Sequence, residues 1–356
     1  MARVDYRFTL DLFREDGTPL GQAPVSVDFE PAIEWTHFDG VRSGLLPEVL
    51  NIGPATIECV WDPKLGNPYV LRVRIVLARG DGGKFCGEVP TTYLRDLARE
   101  AALKFVDQGH LRAGERFTYR VCAFGNPNDA TIHSGEAFSI EEVEQRLTLE
   151  KTSLDEFSRN SRLEGKDSQY DRDMPVFIPQ HVLDEVSAAT REAGEMETGG
   201  VLVGKLRRDD AIPEIFLEVT AQIRAWHAEA QHTKLTFTGD TWNAVRAALA
   251  LRKQNEVMLG WWHSHPDFCR NCPGERRAAC DLARPFFSAE DCALQRTVFA
   301  RAFNIGLLAS YLGSGELAHT LFGWRRGMIE SRGFHVRPAA AVTGFVEERH
   351  HGATNR

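Results

Sequence analysis

An apolar run that ends in two histidines constrains this chain more than any other feature. Residues 257–262 contain only Val, Met, Leu, Gly and two Trp, and His263 and His265 follow with Ser264 between them. The run predicts a buried strand over 257–265. Because side chains at positions i and i+2 leave a strand on the same face, both imidazoles can converge on one point. A lone pair of histidines is usually incidental, so further ligands must support a metal site.

Ser288 and Asp291 supply a third group downstream. If Ser288 opens the helix predicted over 288–301, its hydroxyl and the Asp291 carboxylate project from the same side of that helix. Ser-x-x-Asp is also the signature of an N-terminal capping box, which is the competing interpretation. Two histidines and one carboxylate would give zinc three protein ligands and leave the fourth position for water, as a catalytic zinc site requires.

Glu197 is the candidate base. It lies where a helix predicted over 179–194 gives way to a glycine-bearing strand. From there it could take the proton of a zinc-bound water, as the non-ligating glutamate does in other zinc hydrolases. The alternative is a surface glutamate beside a turn.

These groups stand in the order of a known family. The segments are Glu197-Thr198-Gly199-Gly200, His263-Ser264-His265-Pro266 and Ser288-Ala289-Glu290-Asp291. Over roughly residues 175–330 the chain resembles the JAMM (MPN+) zinc metalloproteases. The resemblance implies a mixed sheet flanked by helices, in which His263, His265 and Asp291 hold zinc. It also implies that Glu197 is the general acid/base and that Ser288 steadies the oxyanion.

The resemblance further implies a substrate. The family cleaves isopeptide or peptide bonds after the C-terminal glycine of ubiquitin or a ubiquitin-like protein. Arginine is much commoner than lysine here, as in many bacterial proteins, and the chain resembles the JAMM proteases of bacterial ubiquitin-like conjugation operons, some of which serve antiviral defence. The partners would then be a ubiquitin-like protein, its conjugates and E1-like and E2-like enzymes. The alternatives are a non-catalytic MPN scaffold or binding module, and a zinc hydrolase of another amide substrate.

The chain departs from the family by a cysteine-rich insert at 267–284. Between His265 and Ser288 lie 22 residues, where the family usually has about seven, and the extra segment contains Cys269, Cys272 and Cys280. A C-x2-C pair followed by further cysteines is zinc-ligand spacing, and a short insert would gain order from a metal. We therefore expect a second, structural zinc, with Cys292 as the nearest fourth ligand. A redox-active Cys269/Cys272 pair and metal-free thiols are the alternatives.

Composition limits the other function classes. The 42 Lys and Arg residues against 50 Asp and Glu leave a net charge of −8, which disfavours a nucleic-acid or anionic-lipid partner. The charged N-terminus and the absence of an apolar run as long as a membrane span predict a cytoplasmic protein without a membrane partner. Four of the seven cysteines fall within 24 residues (Cys269, Cys272, Cys280 and Cys292), which indicates metal or redox chemistry rather than a disulfide framework.

Periodicity predicts an α/β (α+β) fold in two parts. Residues 1–145 alternate apolar and polar positions around one helix near 92–108, which predicts a separate small α+β accessory domain. No residue there indicates its role. A charged linker is expected at 146–174, the metalloprotease domain at 175–335 and a C-terminal tail at 336–356.

Overall fold

A computed structural model of the chain describes residues 6–125, 146–165, 173–226, 228–230 and 235–338. Residues 166–172 of the predicted linker and the predicted tail from residue 339 onward lie outside the described residues. We call residues 6–125 the N-terminal unit and residues 146–338 the C-terminal unit.

The N-terminal unit contains two three-stranded antiparallel sheets, in the orders β2-β1-β6 and β3-β4-β5. Its elements are β1 (Tyr6–Arg14), β2 (Pro19–Val25), α1 (Glu30–Arg42), β3 (Ala55–Trp61), β4 (Val70–Ala78), β5 (Lys84–Pro90), α2 (Arg95–Asp107) and β6 (Phe117–Gly125). The helix predicted near 92–108 is therefore confirmed as α2, preceded by one 3-10 turn. Helix α1 packs on β4 and β5, and α2 packs on β1 and β2.

The C-terminal unit is built on a mixed ten-stranded sheet. Its elements are β7 (Leu149–Lys151), α3 (Leu154–Arg159), β8 (Arg162–Glu164), β9 (Val176–Pro179), α4 (Gln180–Ala193), β10 (Gly199–Asp209), β11 (Glu214–Arg224), β12 (Glu229–Ala230), β13 (Leu235–Thr236), α5 (Gly239–Arg252), β14 (Val257–Ser264), α6 (Gly274–Ala279), α7 (Ala289–Thr297), β15 (Ile305–Tyr311), β16 (Leu317–Arg325), β17 (Met328–Arg332) and β18 (Phe334–Arg337). The strand order is β17-β16-β15-β14-β10-β11-β9-β18-β8, and β7 pairs with β10. The α+β fold class is confirmed.

Strand β14 lies in the middle of this sheet, antiparallel to β10 and parallel to β15. Every residue of the strand from Leu259 onward is buried, so both of its faces are covered, which explains why its sequence is almost continuously apolar. Its glycine has a steric cause: a Cβ on Gly260 would lie 1.9 Å from the carbonyl oxygen of Ile305. Gly260 therefore allows β14 and β15 to pair closely just before the two histidines.

The observed bounds of α4 and α7 differ in how well they match the bounds predicted from the sequence. Helix α4 spans Gln180–Ala193 with Pro179 at its N-cap, close to the prediction. Helix α7 ends at Thr297, four residues before the predicted end at 301. There the buried Gln295 side chain donates to the carbonyl oxygens of Phe299 at 3.1 Å and Asn304 at 3.3 Å. These bonds stabilise a turn that leads the chain back into β15.

The two units share one buried core. Buried apolar residues of both units form a continuous cluster, in which Phe38 and Phe303 contact across the interface with ring centroids 6.0 Å apart. The Arg42 guanidinium donates to both carboxylate oxygens of Glu214, at 2.7 and 2.9 Å. The segment predicted as a linker contributes β7, α3 and β8. Where the domain boundary falls stays a prediction.

Among the described helices, none combines the length with the apolar composition that crossing a membrane would require.

Candidate metal centre

The two histidines meet at the carboxyl end of β14. His263 is the last residue of β14 that pairs with β10, opposite Gly199, and His265 follows the strand, where its N–H donates to the Ala309 carbonyl oxygen at 2.9 Å. Both side chains are buried, and their Nε2 atoms lie 3.2 Å apart. The predicted convergence of the two imidazoles is what the strand geometry produces.

Asp291 reaches the histidines from the first turn of α7. Its Oδ1 lies 3.3 Å from Nε2 of His263, and its Oδ2 lies 3.6 Å from Nε2 of His265. The same Oδ2 accepts the Ser288 N–H at 2.7 Å, while the Ser288 hydroxyl accepts the Asp291 N–H at 3.1 Å. This is a reciprocal capping box. Asp291 can therefore take part in the helix cap and face the histidines at the same time, because the capping hydrogen bond orients its carboxylate.

These three side chains have the geometry of a ligand set. Their ligand atoms all lie within 4.8 Å of one another. Ligands about 2.0–2.1 Å from a tetrahedral zinc stand about 3.3 Å apart, which is close to the spacing of the imidazole and carboxylate atoms here. A nitrogen–nitrogen–oxygen set of this size fits a divalent transition metal.

The electrostatics favour the metal-binding protonation states. Burial lowers the pKa of His263, which keeps its imidazole neutral. Burial acts to raise the pKa of Asp291, but the two imidazoles and the Ser288 N–H outweigh it and hold that pKa well below its ordinary value. A neutral imidazole and an ionised carboxylate are the forms that bind metal without releasing a proton.

Glu197 lies in the short connection between α4 and β10 and is 5% exposed. Burial, and then the carboxylates of Asp291 and Glu290, raise its pKa to about 8. Glu197 lines a cleft of about 170 Å³ together with Ser288 and Asp291. The cleft is completed by Leu235, Thr236, Phe237, Glu290 and Leu294. The fold thus brings the predicted base and the predicted oxyanion residue beside the Asp291 carboxylate.

The glycines after Glu197 are required by close packing. A Cβ on Gly199 would lie 2.4 Å from the Leu235 side chain and 2.5 Å from the Trp262 carbonyl oxygen. A Cβ on Gly200 would lie 2.4 Å from the Ile223 carbonyl oxygen. Only glycine lets β10 approach its neighbours this closely directly after Glu197, which lines the cleft with Asp291.

Sequence reasoning missed the aromatic support of His263. The Trp261 indole stacks on the His263 imidazole, and the buried Gln295 side chain accepts the indole N–H at 2.7 Å. Phe287 packs on the same imidazole with ring centroids 5.5 Å apart. One signal was available: Gln295 lies four residues after Asp291 on α7, so both polar side chains face the same side of the helix.

The four cysteines predicted to bind a second metal do not all come together. Cys269 is buried, and the thiols of Cys280 and Cys272 raise its pKa to about 12, so these three are neighbours. Cys292 instead lines a cleft with Asp96 and Arg296, on the side of α7 that faces the N-terminal unit. Within the described part of the chain, His263, His265 and Asp291 are the one group of three or more potential ligands within reach of a common ion. The second metal stays a prediction.

Comparison with known proteins gives a family match for part of the C-terminal unit and two similar solved structures. A solution structure from Desulfitobacterium hafniense has 22% sequence identity and a TM-score of 0.31 over 47% of this chain and 95% of its own. One from Salinibacter ruber has 22% identity and a TM-score of 0.28 over 47% of this chain and 94% of its own. No curated protein matches. Residues 179–270 match the family described as prokaryotic homologs of the JAB domain, a segment that contains Glu197, His263 and His265, and this match supports a JAB-type domain in the C-terminal unit.

Proposed function

We propose that this protein is a zinc-dependent peptidase or isopeptidase that cleaves after the C-terminus of a ubiquitin-like protein. The observation that carries the proposal is the buried His263, His265 and Asp291 set, with Glu197 in the cleft beside it. The JAB-type match covers the segment that contains the base and two of the ligands. The products would be a freed target or a processed precursor.

His263, His265 and Asp291 would hold the zinc. When bound, zinc supplies a Lewis acid that polarises a carbonyl group and lowers the pKa of water toward neutrality. The remaining chemistry belongs to the side chains of the cleft. No covalent intermediate with the enzyme is needed, so none of the cysteines is required as a nucleophile.

Glu197 moves the proton. Without metal, burial and the neighbouring carboxylates raise its pKa to about 8. A bound cation would lower that pKa again, toward the range in which a carboxylate can accept and return a proton near neutral pH. It would accept a proton from the attacking water and donate it to the leaving amine. Its burial keeps the proton in the cleft between the two steps.

Ser288 would steady the developing oxyanion. Its hydroxyl oxygen already accepts the Asp291 N–H, so its own O–H remains able to donate into the cleft that it lines. A donor placed beforehand, at the point where negative charge develops, stabilises the transition state more than the ground state. The Ser288 residue would therefore serve both the helix cap and the reaction.

The substrate class rests on the resemblance of the motifs. We propose as partners a ubiquitin-like protein, its conjugates, and E1-like and E2-like enzymes of the same pathway. A cytoplasmic bacterial setting and a role in antiviral defence belong to the same proposal. In this proposal the N-terminal unit, which packs beside the loop that leads into α7, would contact one of these partners.

A second, structural zinc in the insert is also proposed. Cys269, Cys272 and Cys280 would contribute ligands, whereas Cys292 lies on another side of α7 and would have to move to join them. Metal analysis of the purified protein tests this. Two zinc ions per chain, falling to one in Cys269→Ser, would support it; one zinc per chain that survives Cys269→Ser would contradict it.

The catalytic proposal is tested with a panel of ubiquitin-like proteins that carry a fluorogenic C-terminal amide. We expect cleavage that a chelator abolishes and that Glu197→Gln lowers at least 1000-fold with zinc still bound. Glu195→Gln is the matched control, because Glu195 is an exposed carboxylate in the same connection. Undiminished cleavage by Glu197→Gln would remove the mechanism, and cleavage of unrelated amides alone would remove the substrate class.

A further inference from the structure

Ser264 joins the strand that bears the histidines to the segment that bears Glu197. It lies between His263 and His265, and because side chains alternate along a strand its hydroxyl points away from the face shared by the imidazoles. It is 1% exposed. Its hydroxyl oxygen accepts the Thr198 N–H at 3.1 Å, and its own N–H donates to the Thr198 carbonyl oxygen at 2.8 Å.

The first of these bonds acts directly on Glu197. The N–H of Thr198 belongs to the peptide unit whose carbonyl group is that of Glu197, and a peptide unit is planar. Fixing the N–H therefore fixes the orientation of the whole unit, including the Cα from which the Glu197 side chain departs. The register of β10 against β14 begins at Gly199, and the Ser264 N–H adds one backbone bond, to the Thr198 carbonyl oxygen. The Ser264 hydroxyl then holds the next peptide unit toward the base, through the Thr198 N–H.

Gly199, on the C-terminal side of the Glu197–Thr198 peptide, is also held in place. Gly199 is enclosed by the Leu235 side chain and the Trp262 carbonyl oxygen. The Ala225 N–H donates to the Gly199 carbonyl oxygen at 2.9 Å. With its C-terminal neighbour held in this way, the Thr198 N–H is the last anchored group before the Glu197 carboxylate.

We infer that Ser264 is a positioning residue, which sets Glu197 in register with the metal ligands through its bond to the Thr198 N–H. The inference rests on the proposed function. Ser264 also lies between His263 and His265. Its side chain therefore links the position of Glu197 to the positions of the two metal-binding histidines. A displacement of about 1 Å in a catalytic group is enough to cost about 100-fold in rate.

The test compares Ser264→Ala with Ser264→Thr, which retains the hydroxyl. Ser187→Ala is the control, since it removes another hydroxyl contact of 3.1 Å, to His319, away from the cleft. We expect Ser264→Ala to lower kcat about 10- to 100-fold with KM changed less than threefold and zinc content unchanged. Ser264→Thr should stay within about fivefold of the wild type, and Ser187→Ala should leave kcat unchanged.

Amide exchange makes the test independent of activity and of whether threonine fits the buried site. The Thr198 amide should exchange at least tenfold faster in Ser264→Ala than in the wild type, while the amides of β14 keep their protection. Wild-type kcat in Ser264→Ala, or an unchanged Thr198 exchange rate, would overturn the inference. A wild-type protein that cleaves no ubiquitin-like substrate would instead contradict the proposed function, and Thr198 exchange would still decide whether Ser264 holds the peptide unit.

Discussion

The Trp261 indole lies flat against the His263 imidazole, with ring centroids 4.5 Å apart and planes 12° from parallel. The His263 Nδ1 atom has no hydrogen-bond partner among the described residues, so this stack and the Phe287 ring orient the imidazole. Histidines in metal sites are more often oriented by a hydrogen bond from the nitrogen that does not bind the metal.

Replacing the stacked ring should weaken metal binding. In Trp261→Leu we expect the zinc dissociation constant to rise about 10-fold, because the imidazole gains rotational freedom, whereas Trp261→Phe should stay within threefold. Competition with a chromogenic chelator measures both values. Trp262→Phe, on the opposite face of β14, is the control. Equal affinities for Trp261→Leu and the wild type would show that the stack does not orient His263.

Asp291→Asn separates capping from metal binding. The asparagine oxygen can still accept the Ser288 N–H, so the start of α7 should survive, but the charge that attracts a cation is gone. We expect zinc affinity to fall at least 100-fold while the metal-free protein unfolds within a few degrees of the wild type. Glu290→Gln removes a neighbouring carboxylate that is no ligand and should retain zinc. Full zinc occupancy in Asp291→Asn would exclude this carboxylate as a ligand.

The buried Glu197 should make the stability of the metal-free protein depend on pH. Its pKa is raised from 4.5 to about 8 on folding, so between those values the folded chain holds a proton that the unfolded chain has lost. The free energy of unfolding contributed by this group is therefore fully present below about pH 4.5 and falls as pH rises toward 8.

Glu197→Gln should remove that fall because the amide is neutral in both states. At about 1.4 kcal/mol for each pKa unit, the metal-free variant should gain up to about 5 kcal/mol relative to the wild type at pH 8.5 and nothing at pH 4.5. Urea unfolding at the two pH values measures the difference. A variant that is equally stabilised, or equally destabilised, at both values would contradict the raised pKa.

The turn between β16 and β17 should report on the contact between the units. Gly327 has φ +77°, and a Cβ there would lie 2.5 Å from the backbone nitrogen of Ala32 in α1. Gly17 has φ +87° with open space around it, so Gly17→Ala carries backbone strain alone. We expect about 1 kcal/mol of destabilisation for Gly17→Ala and at least 2 kcal/mol more for Gly327→Ala. Equal losses would show that the turn does not press on α1.

The local sequence was enough to predict a feature when all the residues involved lie in one strand or one helix. Alternation along a strand predicted that His263 and His265 share a face, and the 3.6-residue period predicted α4 close to its observed bounds. The order of the motifs also indicated a JAB-type domain, which the match over residues 179–270 supports.

Helix α1 was not predicted because its pattern is not amphipathic. Its buried residues include the polar Thr36 and His37 beside Trp35 and Phe38, so apolar residues do not mark a single face. Helix α1 packs on β4 and β5 and also against the C-terminal unit, and a helix covered on several sides loses the periodic signal on which sequence reasoning depends.

The sequence by itself determined which residue types were available and on which face of their own strand or helix they stand. Only the tertiary structure decided that Asp291 meets two histidines from a different element and that Cys292 lies apart from the three insert cysteines. It also decided that Trp261 stacks on His263 and that the Ser264 hydroxyl accepts the Thr198 N–H. The reason is physical: periodicity describes contacts within an element, whereas distances between elements depend on how sheet and helices pack across long stretches of chain.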